Sequence, residues 1–350
     1  MKNYDPRKRL KVQQPRMSTL QDVAKELGLS AGTVSRAITR PDLVAPKTQK
    51  RIQEVIKKLH YIPHAGGRSL RSLSSGTIGA VIPKSGISTF SQTTLALQDE
   101  LTLRGKTLIV SQPDNLATEI EKSIRKVLEH GVDGLLLLGE NHSADTLSLL
   151  KNRGVPFVLM WNVKRSIDQP FVTVSQSQAG SVAAKHLLEL GHKDFAFIGT
   201  PLSVNPRAAA RLSGVKRTLA KAGLEIPEHA ISEELHQFEK AGEATRKILV
   251  KAPRTTAIIC TSDFHALGAL RTLQELGMRV PEDISLVSFN NNDFSGYTYP
   301  SLTTVDLRQY EVGTIAAKMI SQMIESVHPD NTILKPILRL RESSGPKRSN

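Results

Sequence analysis

The chain has 350 residues, which is enough for one large domain or for two to three modest domains with proper cores. Its formal net charge is +14, and residues 1–76 carry 16 basic and 5 acidic side chains, which places +11 of that charge at the amino terminus. Such a basic cluster indicates a polyphosphate partner, because each neutralised phosphate releases condensed counterions.

A membrane surface is the competing partner, but the sequence argues against it. No apolar run reaches the length of a spanning helix, and the first residues lead into no signal-peptide core. We therefore expect a soluble, cytoplasmic protein with no membrane partner. The single cysteine, Cys260, lies in the apolar run 257–260 and cannot form an internal disulfide. It is expected to be a buried thiol in a reducing compartment.

Residues 1–16 form a basic, poorly apolar segment that we expect to be a flexible arm. This arm either adds non-specific DNA affinity or only solubilises the chain. Residues 17–62 are expected to form three helices. Two short helices flank a turn at Gly28–Ser30, and a third runs over Lys47–Leu59, each with apolar residues at helical spacing on one face. The inward residues are expected to be Val23, Ala24, Leu27, Val34, Ala37, Ile38, Ile52, Val55, Ile56 and Leu59.

A helical hairpin with one apolar face can be a simple packing unit, but the surrounding motifs favour a helix-turn-helix. The motifs at 20–24, 33–37, 61–63 and 68–71 occur in the order and spacing of the lactose/galactose-repressor (LacI/GalR) family of bacterial transcription regulators. The chain resembles that family over about residues 18–340. The resemblance implies an all-α helix-turn-helix domain, a hinge over 63–76, and a two-lobed, periplasmic-binding-protein-like α/β effector domain with parallel sheets over 77–340.

The family motif assigns DNA contacts to the second helix. Thr33 and Ser35 match the hydroxyls that contact phosphate, and Arg36 matches the side chain that reaches a base, where a guanidinium can hold guanine O6 and N7. Ala31 and Gly32 are small, so direct readout is expected to be sparse. Lys47 and Thr48 either hold phosphate or are ordinary residues of a helix start. The complete expected DNA-binding set is Thr19, Ser30, Ala31, Gly32, Thr33, Ser35, Arg36, Thr39, Leu43, Lys47, Thr48, Arg68 and Leu70.

The hinge resembles the family's minor-groove helix, in which Leu70 fits the position of the leucine wedge and Arg68 accompanies it. The alternative is a linker leucine that packs on its own domain. The sequence departs from the family at His64 and at Gly66-Gly67, where better helix formers are usual. Because glycine weakens a helix, we expect this hinge to fold only when two copies pair on DNA.

From residue 77 the pattern alternates between buried strands and helices, which predicts parallel α/β lobes. The resemblance implies that a late strand and the following helix cross back to the first lobe, and that a small ligand binds between the lobes. The expected strands are 78–82, 107–110, 135–138, 157–160, 195–198, 257–260, 284–289 and 302–305, and the expected helices are 92–104, 118–130, 144–152, 178–190, 207–222, 241–251, 266–276 and 309–326.

Arg211 is the first candidate for a ligand clamp, with an interlobe salt bridge as the alternative. Sugar-binding members usually carry Asp-Asn, Asn-Asp and Asp-Asp at three positions where this chain has Ser175-Gln176, Ser262-Asp263 and Asn290-Asn291. These neutral replacements favour a sugar acid or another anion as effector. The alternative is a pocket that has diverged and responds weakly or to a different sugar. The full expected effector set is Lys84, Phe90, Trp161, Ser175, Arg211, Ser262, Asp263 and Asn290.

Neither a catalytic set nor a metal site is expected, because the histidines are scattered and Asp263-Phe264-His265 is too short a match. No cofactor is expected. The sequence therefore predicts a homodimeric repressor that binds a palindromic operator in double-stranded DNA and responds to a sugar or sugar-acid effector. The residues from 341 to 350 are expected to be a flexible tail. Two alternatives stay open, a ligand receptor that no longer reads DNA and a regulator controlled by a docked partner protein.

Overall fold

A computed structural model of the chain describes residues 18–62, 74–84, 90–140, 142–161 and 168–347. The chain divides into two compact units, Met1–Ser75 and Gly76–Asn350. The expected arm at 1–16 lies outside the described residues. So do hinge residues 63–73, with Arg68 and Leu70.

The first unit is a three-helix bundle. Its helices are α1 Leu20–Leu27, α2 Ala31–Thr39 and α3 Pro46–Lys58. Gly28 ends α1 in the left-handed conformation (φ 64°), and Ser30 caps α2 by accepting a hydrogen bond from the Thr33 amide. Fully buried Val23, Val34 and Ile52 close the core. The three predicted helices are confirmed, with α3 beginning one residue early because Pro46 suits a first helical turn.

The second unit contains two sheets, and the first of these is wholly parallel. Its strand order is β11-β5-β4-β3-β1-β2. The strands are β1 Thr77–Val81, β2 Thr107–Ser111, β3 Gly134–Leu138, β4 Phe157–Met160, β5 Phe171–Val174 and β11 Thr332–Leu334. The helices of this first lobe are α4 Ser91–Leu103, α5 Ala117–Glu129, α6 Ala144–Asn152 and α11 Gln309–Ile324.

The second sheet has the order β12-β10-β9-β8-β6-β7, in which only β12 runs antiparallel. Its strands are β6 Phe195–Gly199, β7 Ile231–Glu233, β8 Ala257–Cys260, β9 Ser285–Phe289, β10 Thr303–Asp306 and β12 Ile337–Arg339. The helices of this second lobe are α7 Gln176–Glu189, α8 Pro206–Ala220, α9 Phe238–Lys251 and α10 Asp263–Glu275.

This architecture confirms the predicted two-lobed α/β fold, and the predicted elements lie within three residues of their observed bounds. The central strands are apolar along their length because both faces of a parallel sheet are covered; Leu135, Leu136 and Leu137 are all fully buried. Cys260 is a buried free thiol, as predicted. Among the described helices, none has both the length and the apolarity that crossing a bilayer requires.

The predicted crossing of the late strand is wrong. Strand β10 stays in the second lobe, where Thr303 pairs with Val287 of β9. Among the described elements that follow β10, α11 and β11 are the two that return to the first lobe. There α11 packs so closely on α4 that a Cβ at Gly313 would lie 2.4 Å from the Thr93 carbonyl oxygen.

The predicted flexible tail is also wrong for residues 341–347. Ser343 is fully buried, and its hydroxyl accepts from the Thr303 amide and donates to the Leu286 carbonyl. The Gly345 amide donates to the Ser285 hydroxyl, and the Gly345 carbonyl lies 3.0 Å from His192 Nε2. The polar composition that indicated a tail instead supplies hydrogen bonds along the second sheet.

Candidate DNA-binding surface and effector cleft

The outer side of α2 is the candidate DNA-reading surface. Buried Val34 and Ala37 fix the inner side of the helix, which leaves Gly32, Arg36 and Thr39 exposed. Within residues 18–62, Arg36 forms no ion pair, so its guanidinium is free to contact a base edge. Helix α2 therefore has the form of a recognition helix, with a supported apolar side and an outer side on which the Arg36 guanidinium has no ion-pair partner among residues 18–62.

Several predicted contact hydroxyls also stabilise the helices. The Ser30 and Thr33 hydroxyls lie 2.9 Å apart, and the Thr39 hydroxyl donates to the Ser35 carbonyl over 2.8 Å. Thr19 forms a capping box with Asp22, in which each side chain accepts from the other residue's amide. The hydroxyls therefore have defined orientations before any DNA is bound.

The remaining predicted contacts lie between α2 and α3. Leu43 is exposed in the connecting turn. Lys47 is exposed and Thr48 half-buried in the first turn of α3, which Pro46 begins. Both lie beside the unpaired amides of a helix N-terminus, where an anion is favoured.

The second candidate site, which we call the cleft, lies where the carboxyl ends of the two sheets meet. Trp161 directly follows β4, is 2% exposed, and adopts the left-handed conformation with φ 69°. Its ring meets Phe90 edge-on, with 5.6 Å between ring centroids. The Trp161 indole Nε1 is buried and has no hydrogen-bond partner in the described part of the chain. The two predicted aromatic residues therefore pack against each other in the buried core beside β4, next to Arg207 of the second lobe.

Helix α8 carries two arginines of the cleft. Arg211 is 7% exposed; its Nε donates to Gln176 Oε1 over 2.8 Å, its Nη1 donates to the Thr261 carbonyl, and its guanidinium lies 4.9 Å from the centre of the Phe289 ring. Burial, with the nearby charge of Arg207, lowers the pKa of Arg211 to about 9. All three hydrogen-bonding and ring partners belong to the second lobe, so the alternative of an interlobe salt bridge finds no support among the described residues.

Arg207 is a cleft residue that the sequence analysis did not identify. Its guanidinium lies 5.2 Å from the centre of the Phe90 ring and so connects the two lobes by a cation–π contact. Burial lowers the pKa of Arg207 to about 10. Only the position of Phe90, more than a hundred residues away in sequence, reveals this role.

Two predicted effector residues belong instead to a network within the second lobe. The Asp263 carboxylate is fully buried and accepts from the Ser288 and Thr304 hydroxyls and from the amide and side chain of Asn292. Burial raises the pKa of Asp263. Ser262 caps α10 by accepting from the His265 amide. This network fixes the loops at the ends of β8 and β9.

The other predicted effector residues differ in their surroundings. Ser175 caps α7, with its hydroxyl accepting from the Gln178 amide. Asn290 follows β9, is buried, and adopts a φ of 105° that L-residues rarely take. The Lys84 ammonium lies 3.3 Å from the Asp114 carboxylate at the surface, so that acidic group offsets its charge.

Comparisons with known proteins match both units. Residues 19–64 match the family described as bacterial regulatory proteins, lacI family, and residues 184–344 match the periplasmic binding protein-like domain. The HTH-type transcriptional repressor PurR of Erwinia tasmaniensis is 31% identical over 338 residues, which cover 95% of this chain and 99% of that protein.

Solved structures show the same arrangement. A LacI-family transcriptional regulator from Silicibacter pomeroyi is 26% identical, with a TM-score of 0.84 over 93% of this chain and 99% of that chain. The transcriptional regulator CelR, solved in complex with cellobiose, is 27% identical, with a TM-score of 0.68 and the same two coverages.

These matches confirm the family that the sequence motifs predicted. The relatives are transcriptional regulators and not enzymes, and the family combines operator binding by dimers with control by small-molecule effectors. The chain therefore belongs to the lacI family of bacterial regulatory proteins and is a DNA-binding, effector-controlled transcriptional repressor.

Proposed function

We propose that this protein represses genes of carbohydrate or sugar-acid catabolism in the bacterial cytoplasm. Two copies bind a palindromic operator, and an effector bound in the cleft changes their affinity for it. The observation that carries the DNA-binding part is the exposed outer side of α2, where Arg36 has no ion-pair partner among residues 18–62.

Arg36 is proposed to read a guanine, because a bidentate contact to O6 and N7 contributes about 1–3 kcal/mol of discrimination. Thr33, Ser35 and Lys47 are proposed to hold phosphates, which fix the register of α2 but carry no sequence information. Thr19, Ser30, Ala31, Gly32, Thr39, Leu43 and Thr48 complete the proposed DNA-facing set, together with Arg68 and Leu70 in the hinge.

The effector class is supported by the chemistry of the cleft. The aromatic pair Phe90 and Trp161 lies next to Arg207, which shares one side of α8 with Arg211, and such a combination suits a small polar ligand with an apolar face. The relative CelR was solved with cellobiose, which supports a carbohydrate-like ligand for this chain. Ligand binding is proposed to change the separation of the two hinges in the dimer, with a coupling of about 1–3 kcal/mol.

A comparison of two variants tests the role of Arg36. Operator affinity is measured by fluorescence anisotropy for the wild type, for Arg36→Ala, and for Lys25→Ala, which removes an equal charge from the exposed side of α1. Arg36→Ala is expected to relax the base preference at one base pair in each half-site. Lys25→Ala is expected at most to lower the affinity for all DNA sequences by the same factor. An unchanged base preference in Arg36→Ala contradicts the proposed reading role.

The same anisotropy assay tests whether a ligand of the cleft controls operator binding. A sugar or sugar acid that binds the cleft is expected to change operator affinity by roughly five- to 150-fold. A ligand that binds the protein without altering operator affinity contradicts control through the cleft. If an added partner protein changes the operator affinity and no small molecule does, the result favours the alternative of control by a docked partner.

A further inference from the structure

Two arginines of α8 occupy the cleft without a carboxylate partner. Arg207 and Arg211 are four residues apart and so lie on one side of the helix. Neither forms an ion pair with any described residue, and outside the described ranges the only acidic side chain in the sequence is Asp5. The cleft therefore holds two positive charges that the protein itself does not balance by direct pairing.

Leaving these charges close together is unfavourable for the protein alone. Like charges at this spacing repel, and burial of an unpaired charge is costly. The lowered pKa values of Arg211 and Arg207, about 9 and about 10, express this cost, yet both groups stay protonated near neutral pH. A bound anion would relieve the repulsion and the desolvation cost together.

The Asp263 carboxylate partly offsets the lowering of the Arg211 pKa through space, but the two groups form no ion pair. Asp263 already accepts hydrogen bonds from Ser288, Thr304 and Asn292, which engage both of its oxygens. Arg211 has committed Nε and one Nη1 hydrogen to Gln176 and Thr261 and retains other guanidinium donors. Among the described residues, the Arg207 side chain makes only its contact with the Phe90 ring, so no guanidinium donor of Arg207 is engaged there.

The first lobe provides a second, independent observation. Trp161 is 98% buried, and its indole N–H has no acceptor among the described residues. Buried donors are nearly always paired, so an unpaired one beside the Phe90 ring is a ready partner for a ligand oxygen. Arg207 and Arg211 from the second lobe and Trp161 from the first lobe therefore offer donors that no described residue has taken up in full.

We infer that the effector carries a carboxylate or phosphate group bound between Arg207 and Arg211, and that Arg207 makes the cleft select anions over neutral sugars. The inference rests on the proposed function in taking the cleft as the effector site. The Trp161 indole donates to an oxygen of the ligand, and the Phe90 ring covers the ligand's apolar side.

Tryptophan fluorescence tests this directly, because Trp161 is the only tryptophan in the chain. The full-length protein is titrated with D-gluconate, D-glucuronate, glucose 6-phosphate and inorganic phosphate, and with neutral D-glucose. At least one organic acid or phosphate ester is expected to perturb Trp161 at concentrations about tenfold or more below those needed for glucose. The carboxylates and the phosphates distinguish the two kinds of anion.

Three variants test whether Arg207 is the residue that makes the cleft select anions over neutral sugars. Arg207→Gln is expected to weaken binding of the responding anion by about ten- to a hundredfold, the loss of a charge-assisted hydrogen bond, with glucose unaffected. Arg207→Lys is expected to recover part of the loss. Lys216→Gln removes the same charge from an exposed position on α8 and is expected to change nothing. Thermal unfolding of each variant verifies that it is folded.

The inference is overturned if glucose binds as tightly as every anion, if Arg207→Gln weakens anion and glucose equally, or if no anion perturbs Trp161 up to tens of millimolar. Operator binding by the ligand-free protein separates the two proposals. If the protein binds its operator and a neutral sugar controls that binding, the proposed function stands and the proposal of an anionic effector is rejected. Loss of specific operator binding in the wild type counts against the proposed function instead.

Discussion

The contact between α7 and α8 determines where the two cleft arginines lie, and a single methyl group tests it. The helices cross through Gly180 and Gly214. A Cβ at Gly214 would lie 1.9 Å from the Ser177 carbonyl oxygen, and one at Gly180 would lie 2.0 Å from the Arg211 carbonyl oxygen. Because real Cβ atoms essentially never approach within 3.0 Å, Gly214→Ala must separate the two helices by about 1 Å.

The size of the effect follows from two opposing contributions. Replacing glycine by alanine in a helix contributes about 1 kcal/mol of stability. Overpacking costs about 1–3 kcal/mol and more in places, and here the obstacle is backbone that no rotamer change can move. With the overpacking cost at its upper end of about 3 kcal/mol, we expect Gly214→Ala to lower the free energy of unfolding of the second unit by about 2 kcal/mol. It should also weaken ligand binding, because Arg207 and Arg211 move with α8.

Urea unfolding followed by Trp161 fluorescence measures this effect, because the only tryptophan belongs to the second unit. Gly32→Ala is the matched control. Its added Cβ would meet nothing nearer than the Ser30 hydroxyl at 3.7 Å, so the Trp161 transition is expected to stay in place. A Gly214→Ala midpoint equal to or above that of the wild type refutes the close-crossing argument.

Three other perturbations test separate parts of the molecule. Burial lowers the pKa of His265 from 6.5 to about 4, so the unfolded chain takes up a proton at a higher pH than the folded protein does. The free energy of unfolding should therefore fall by about 3 kcal/mol as the pH falls from 6.5 to 4. In pH-dependent unfolding, His265→Gln should lack this contribution to the loss of stability. Ending the chain after Leu340 should destabilise the second unit by at least about 2 kcal/mol in urea, whereas ending it after Lys347 should not; equal effects contradict the packed tail. Replacing Gly66 and Gly67 with alanine should tighten operator binding and blunt the effector response, and equal or weaker affinity at matched salt counts against a conditional hinge.

Local patterns were sufficient to predict the elements whose stability is local. The first unit was predictable because apolar spacing, the Ser30 cap and the left-handed Gly28 all act within a few residues. The central strands were predictable because burial on both faces makes them continuous apolar runs, as at 134–138 and 257–260.

Elements that depend on distant pairing were missed. The short edge strands β7 and β11 have only three residues each, and β11 pairs with β5 across about 160 residues of sequence. The assignment of β10 to the first lobe came from the family resemblance, and the pairing of β10 with β9 shows that it was wrong. Such short segments carry too little local signal to be distinguished from loops.

The cleft was predicted in part for the same reason. Arg211 was recognisable from its motif, but Arg207 is an ordinary basic residue of a first helical turn until Phe90 is placed beside it. Asp263 was included in the expected effector set because it matches a position of the family's cleft. Its partners Ser288, Asn292 and Thr304 come from two other segments, and no local pattern predicts that they engage its carboxylate.

The most direct test of the account is selection of binding sites by the purified full-length protein from random duplex DNA at physiological ionic strength. The account predicts enrichment of one two-fold symmetric sequence, bound at least about a thousandfold more tightly than its scrambled counterpart. Equal affinity for the enriched and scrambled duplexes, with no symmetric sequence emerging from the selection, would contradict it.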